Sequence, residues 1–157
     1  MYHEMEPMNR SKKSKEKGSQ ADSAFNRLRQ EGDDAHTKGD FQQALDCYRK
    51  ALIKDPDSAV IWNNLGLTFK ELGREDKAIK CYYKALELEP NYPASWYNTG
   101  ELLYEMDEFE DALYCFNTVG SLDADLARNI AHKRQECKQK IADGNKEVVP
   151  PDAPTRV

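Results

Sequence analysis

Residues 59–92 read AVIWNNLGLTFKELGREDKAIKCYYKALELEPNY, and this stretch decides the fold. Ile61, Leu65, Thr68, Phe69 and Leu72 recur at three- and four-residue spacing, the period of one face of an α-helix. Gly73 predicts the end of that helix, because glycine takes the left-handed cap conformation at little cost. Ala78, Ile79, Tyr82, Ala85, Leu86 and Leu88 form a second apolar stripe, which Pro90 stops. Two helices therefore fill 34 residues.

The same columns recur at that period on both sides. Leu28, Trp62 and Trp96 are in step, as are Gly32, Gly66 and Gly100, and Ala44, Ala78 and Ala112. So are Cys47, Cys81 and Cys115; Tyr48, Tyr82 and Phe116; and Ala51, Ala85 and Val119. Pro56 and Pro90 continue the series, with Ala124 where a third proline would fall. These columns define three repeats, 25–58, 59–92 and 93–126. Small residues sit where the helices of a pair must approach closely, and large aromatics fill the space beside them. One helix pair cannot bury its apolar face alone, so neighbouring pairs must stack. The third copy has Met106-Asp107 where the others have Gly39 and Gly73, which predicts a weaker break.

Trp62-x2-Leu65-Gly66-x2-Phe69, followed by Ala78-x3-Tyr82-x2-Ala85 and Pro90, resembles the tetratricopeptide repeat (TPR). The third copy is similar, with Thr99 and Val119 at variant positions. The first departs most, with Leu28, Glu31 and Ala35 in place of tryptophan, leucine and an aromatic. The resemblance covers residues 25–126. It implies an all-α protein: a right-handed TPR superhelix, an α-α solenoid of three helix-turn-helix repeats closed by a solvating helix. Leu126, Ile130, Cys137 and Ile141 mark that capping helix at about 123–142, making seven helices and a domain over 24–142. Residues 1–23, which include a Lys-rich, apolar-poor run, are expected to be a disordered basic arm. Residues 143–157 are expected to be a flexible Pro-rich tail whose Thr155-Arg156-Val157 end has the general form of a PDZ ligand.

Composition narrows the function. The 157 residues carry 23 Lys and Arg against 28 Asp and Glu, a formal charge of −5, which argues against a chain-wide nucleic-acid footprint. No apolar run approaches the roughly 18 residues of a membrane span, and the first residues lack the basic and apolar regions of a secretory signal. A cytoplasmic protein is expected. The cysteines of one column sit on successive packed helices, roughly 8–10 Å apart axis to axis, beyond disulfide reach. His3, His36 and His132 show no ligand spacing, and no nucleophile motif or phosphate loop occurs. No metal, cofactor or catalytic activity is expected.

Function then falls to the concave surface, which the resemblance assigns to the first helix of each repeat. With the core columns removed, Arg29, Asn63, Asn64, Leu67, Lys70, Tyr97, Asn98, Glu101, Tyr104 and Glu105 are the candidate groove residues, alongside Asp33 and Thr37 in repeat one. In TPR proteins that bind extended peptides, asparagine in the column of Asn64 and Asn98 pairs with the ligand backbone. A consensus surface residue is the competing reading. Repeat three holds eight acids and no Lys or Arg, and the neighbouring helix is basic. Internal pairing is the reading for Asp123 and Asp125, whereas Glu101 and Glu105 are read as freer to attract a basic partner. The resemblance also implies a comparison with the carboxylate clamp of chaperone-binding TPR domains. Arg29, Asp33, Asn64, Ala94 and Asn98 stand at its places; only Asn64 and the charge of Arg29 agree, and Asp33 opposes a carboxylate. The expected function is a non-catalytic interaction module or assembly adaptor for an extended or helical protein segment bearing basic and apolar residues. Chaperone tails are disfavoured and nucleic acid is not expected. The alternatives are a self-associating scaffold, as a homodimer, and an RNA or membrane-surface adaptor acting through the basic arm.

Overall fold

The structure, a computed structural model, describes residues 10–144, with side chains from residue 22. These residues form eight helices and no strand: α1 Arg10–Thr37, α2 Phe41–Lys54, α3 Ala59–Glu71, α4 Glu75–Leu88, α5 Pro93–Glu105, α6 Phe109–Leu122, α7 Ala124–Asn129 and α8 Ala131–Gly144. Residues 1–9 of the arm and 145–157 of the tail, including Thr155-Arg156-Val157, lie outside the described residues.

The pairs α1/α2, α3/α4 and α5/α6 are the three repeats, and each stacks on the next through α2 with α3 and α4 with α5. The odd helices also touch one another, α1 with α3 and α3 with α5, while α2 and α4 make no comparable contact. Closer approach on one side bends the stack, so α1, α3 and α5 line the hollow face. The expected α-α solenoid is the architecture observed.

The columns do the work their chemistry requires. Ala44, Ala78 and Ala112 are fully buried, and Tyr48, Tyr82 and Phe116 are at most 2% exposed. Each of these rings lies against the glycine of its repeat's first helix. The tryptophans are half-buried straps: Trp62 Nε1 donates to the Pro56 carbonyl at 2.8 Å and Trp96 Nε1 to that of Pro90 at 2.7 Å. Cys47, Cys81, Cys115 and Cys137 are free and buried, and burial pushes the Cys81 and Cys115 thiols up to about 11 and 12. Such thiols are unreactive packing groups.

Four expectations are corrected. First, α1 begins at Arg10, so residues 10–23 are helical rather than disordered. The stretch holds no proline or β-branched residue, and elongating a formed helix is far easier than nucleating one. Second, the capping segment is two helices, which raises seven to eight. α7, capped by Asp123 accepting from the Asp125 and Leu126 amides, bends at buried Ile130, and α8 turns back onto α6. That turn brings Cys137 into the core with Leu103, Phe116 and Val119. Third, α8 runs to Gly144, past the expected domain end at 142.

Fourth, the break in repeat three is not weaker. Asp107 takes φ 64, beside 79 at Gly39 and 66 at Gly73. All three ends close with the same two bonds: the left-handed residue's N–H reaches back three residues, and the next N–H reaches back five, as from Glu108 to Leu103 at 2.9 Å. An aspartate pays there a conformational cost that glycine does not. Asp107→Gly is expected to raise the unfolding free energy by about 0.5–1 kcal/mol, read as a higher urea midpoint at unchanged slope.

Candidate functional site

The hollow face is built from residues 29–37 of α1, 63–71 of α3 and 97–105 of α5. Several of their polar side chains reach the next repeat. Asn64 Nδ2 of α3 donates to Asp33 Oδ1 of α1 at 2.9 Å. Asn63 Oδ1 accepts from Ser95 Oγ at 3.0 Å and Asn98 Nδ2 at 2.9 Å, both on α5. Lys70 Nζ meets Glu105 Oε1 at 2.6 Å, and Lys133 of α8 bonds Glu101. Each junction between neighbouring inner helices thus carries a polar stitch.

This arrangement changes the sequence assignments. Asn63 is 3% exposed and binds within the chain, so it is no groove contact. Glu101 and Glu105 are not the freer acids: one is held by the capping helix and the other by Lys70. Burial opposes the charge of Lys133, but Glu101 and the adjacent Tyr97 outweigh it, and its pKa is raised. The same ammonium lies 5.7 Å from the centre of the Tyr97 ring. Tyr104 packs edge-on against Phe109 and shares a hollow with Glu136, Gln139 and Lys140 of α8. The α8 helix, packed on α6, therefore lines the far side of that hollow. Asn64 and Asn98 each direct amide hydrogen to the neighbouring helix. Arg29, at the far end, lies 3.8 Å from Asp33 Oδ2.

The inner face of repeats one and two is open as well. A cavity of about 200 Å³ sits there between α1 and α3, lined by Asp33, His36, Thr37, Tyr48, Asn64 and Leu67. Asp33 organises it: Oδ1 accepts from Tyr48 Oη at 2.7 Å and from Asn64 Nδ2 at 2.9 Å. Burial, and then the Asp33 carboxylate, raise the Tyr48 pKa, so the phenol keeps its proton. His36 Nε2 is buried without a hydrogen-bond partner, and its ring packs edge-on against Phe41. Sequence reasoning placed Tyr48 in the core and weighed His36 only as a metal ligand. The signal that pointed here was Asp33, an acid at an outward position where peptide-binding repeats carry an amide. Among the described residues no cluster of three or more His, Cys, Asp or Glu could hold a metal, and no helix is long and apolar enough to cross a membrane.

Comparison with known proteins agrees with the geometry. Residues 59–92 and 81–114 match the family described as tetratricopeptide repeat, and residues 32–73 match one described as TPR repeat. Together these matches run from 32 to 114, more than half of the chain. No curated protein matches the sequence. Among solved structures, the chain is similar to the Sgt2 TPR domain from Aspergillus fumigatus, with TM-score 0.72 and 20% identity over 84% of this chain and 88% of that one. It is also similar to the first TPR of Spaghetti (RPAP3) bound to the HSP90 peptide SRMEEVD, with TM-score 0.70 and 21% identity over 76% and 94%. The Yersinia enterocolitica type III secretion chaperone SycD in complex with a peptide of the translocator YopD gives TM-score 0.70 and 17% identity over 75% and 95%. The exclusion of chaperone tails drawn from Asp33 is not borne out, since a domain of this fold holding an HSP90 peptide is among these structures.

Proposed function

The chain belongs to the tetratricopeptide-repeat family, and from that premise we propose that it is a non-catalytic protein-binding adaptor whose hollow face takes an extended segment of another protein. The observation that carries this reading is the cavity between α1 and α3, walled by two successive inner helices and open on the hollow side. Similar folds bound to an HSP90 peptide and to a YopD peptide support a protein partner. The binding face is centred on repeats one and two, with Arg29, Asn64 and Leu67 as contacts and Asn98 of repeat three beside them. Glu101 and Glu105, already paired with lysines, do not recruit the partner.

A photo-crosslinking residue at position 37, in the cavity lining, is compared with one at Ile53, which is 77% exposed on the outer helix α2. The full chain, expressed in its native cells, is expected to form a discrete protein adduct from position 37 and none from 53. Equal adducts from both positions, or adducts from 53 alone, would reject the groove.

A further inference from the structure

The cavity between α1 and α3 has a chemical polarity that follows from where its hydrogens go. Thr37 Oγ1 donates to the Asp33 carbonyl at 2.8 Å, and Tyr48 Oη donates to the Asp33 carboxylate at 2.7 Å. Asn64 uses one amide hydrogen on the same carboxylate. Both hydroxyl hydrogens are therefore turned into the protein; one Asn64 N–H, beside Tyr48 Oη, and the partnerless Nε2 of His36 remain. Left over are acceptors: the lone pairs of Oη and Oγ1, Asn64 Oδ1, which receives only a long 3.5 Å contact from Asn63, and Asp33 Oδ2. Oδ2 has only Arg29 near it, at 3.8 Å, beyond hydrogen-bond length, and that arginine is 40% exposed. Leu67 supplies an apolar wall.

We propose that this cavity receives a cationic hydrogen-bond donor on an apolar stem: the ammonium of a lysine side chain of the bound segment, with its methylenes against Leu67. The inference rests on the groove reading and adds the chemistry of its anchor. A lysine brings three donors to a site of acceptors and replaces the loose Arg29 contact with direct bonds to Oδ2. Its stem is the kind of chain that buries along apolar surface while its charged head stays among polar groups.

The test is an NMR titration of the nitrogen-15-labelled full chain, reading the Thr37 amide and the Asn64 side-chain amide. The probes are acetyl-Gly-Lys-Gly-amide, acetyl-Gly-Glu-Gly-amide and 1,5-diaminopentane. The lysine peptide is expected to shift both signals saturably, the glutamate peptide to leave them unmoved, and the free diamine to bind several-fold more weakly. Asp33→Asn keeps an oxygen for Tyr48 and Asn64, so the fold survives, yet lysine-peptide affinity drops about tenfold. Arg29→Gln removes the competing cation and raises it about two- to threefold. Those two signs are reversed for a carboxylate site. Saturation by the glutamate peptide, a diamine as tight as the lysine peptide, or an unchanged Asp33→Asn chain would each overturn the proposal. Crosslinking from position 37 without lysine preference would sink this inference alone, whereas lysine binding without any adduct would sink the groove reading instead.

Discussion

Tyr82→Ala is expected to lower the unfolding free energy by about 3–5 kcal/mol, a large part of what a domain of this size possesses. The Tyr82 ring is fully buried in the middle repeat, against Gly66 of its own pair and within the core that joins repeats one and two. Removing it opens a void that backbone carbonyls and neighbouring helices cannot collapse to fill. Because each repeat is stabilised only by its neighbours, a defect in the central one weakens both interfaces at once. The conservative change has the opposite sign. The Tyr82 hydroxyl is buried with no partner, so Tyr82→Phe, which keeps the ring, is expected to stabilise by about 1 kcal/mol. Tyr48→Phe, one repeat earlier, removes the 2.7 Å bond to Asp33 and is expected to cost about 1 kcal/mol. Urea titrations followed by helical circular dichroism separate the three. A loss in Tyr82→Phe equal to that in Tyr48→Phe would mean that the Tyr82 hydroxyl has a partner after all.

That pair of tyrosines also shows what the sequence could and could not disclose. The column was legible because every repeat meets the same packing demand, and a demand repeated at a fixed period leaves a visible trace. The hydroxyls were not, because the partner of each depends on the phase between successive helices. Asn63 with Ser95, Asn64 with Asp33, and Glu101 with Lys133 are joined across 31 or 32 residues, and Lys70 with Glu105 across 35. A rule that reads outward positions as free for a ligand has no means of seeing that the next repeat supplies the partner. Asp107 shows a different limit. Its residue type predicts a weak break, yet the two closing bonds are made by backbone groups and hold whichever side chain sits there.

The end of the array follows from the same columns. Ile130 stands one period after Trp96 and is buried, so the start of a fourth inner helix is in place. One period after Gly100 comes Arg134, whose Nε donates to Asn117 of α6 at 3.0 Å. An arginine where the other repeats have glycine leaves no room for a partner aromatic. Hence, among the described residues, α8 stacks as an inner helix with no outer mate, and its Lys133 bonds Glu101 beside the Tyr97 ring. The glycine column thus marks which of the described helices take an aromatic partner from the next helix.

Substituting that glycine should therefore be costly, although glycine to alanine inside a helix ordinarily gains about 1 kcal/mol. A Cβ at Gly66 would lie 2.5 and 2.6 Å from two ring carbons of Tyr82 and 3.2 Å from the Ala78 carbonyl oxygen. The ring is enclosed on every side and cannot swing away, so α3 and α4 must separate. Gly66→Ala is expected to destabilise by about 2 kcal/mol even after the propensity gain. Gly120, within α6, is the internal control: its Cβ would meet only Arg134 Nη1 at 3.5 Å and Ala127 Cβ at 3.7 Å, ordinary contacts. Gly120→Ala is expected to stabilise by up to about 1 kcal/mol. One substitution, two signs, and the difference lies in the opposing ring. A double-mutant cycle of Gly66→Ala with Tyr82→Leu tests that cause directly, since the slimmer side chain yields space to the new methyl. The coupling is expected to be favourable by about 1 kcal/mol. Strict additivity would mean that the glycine is needed for its backbone and not for the approach of the ring.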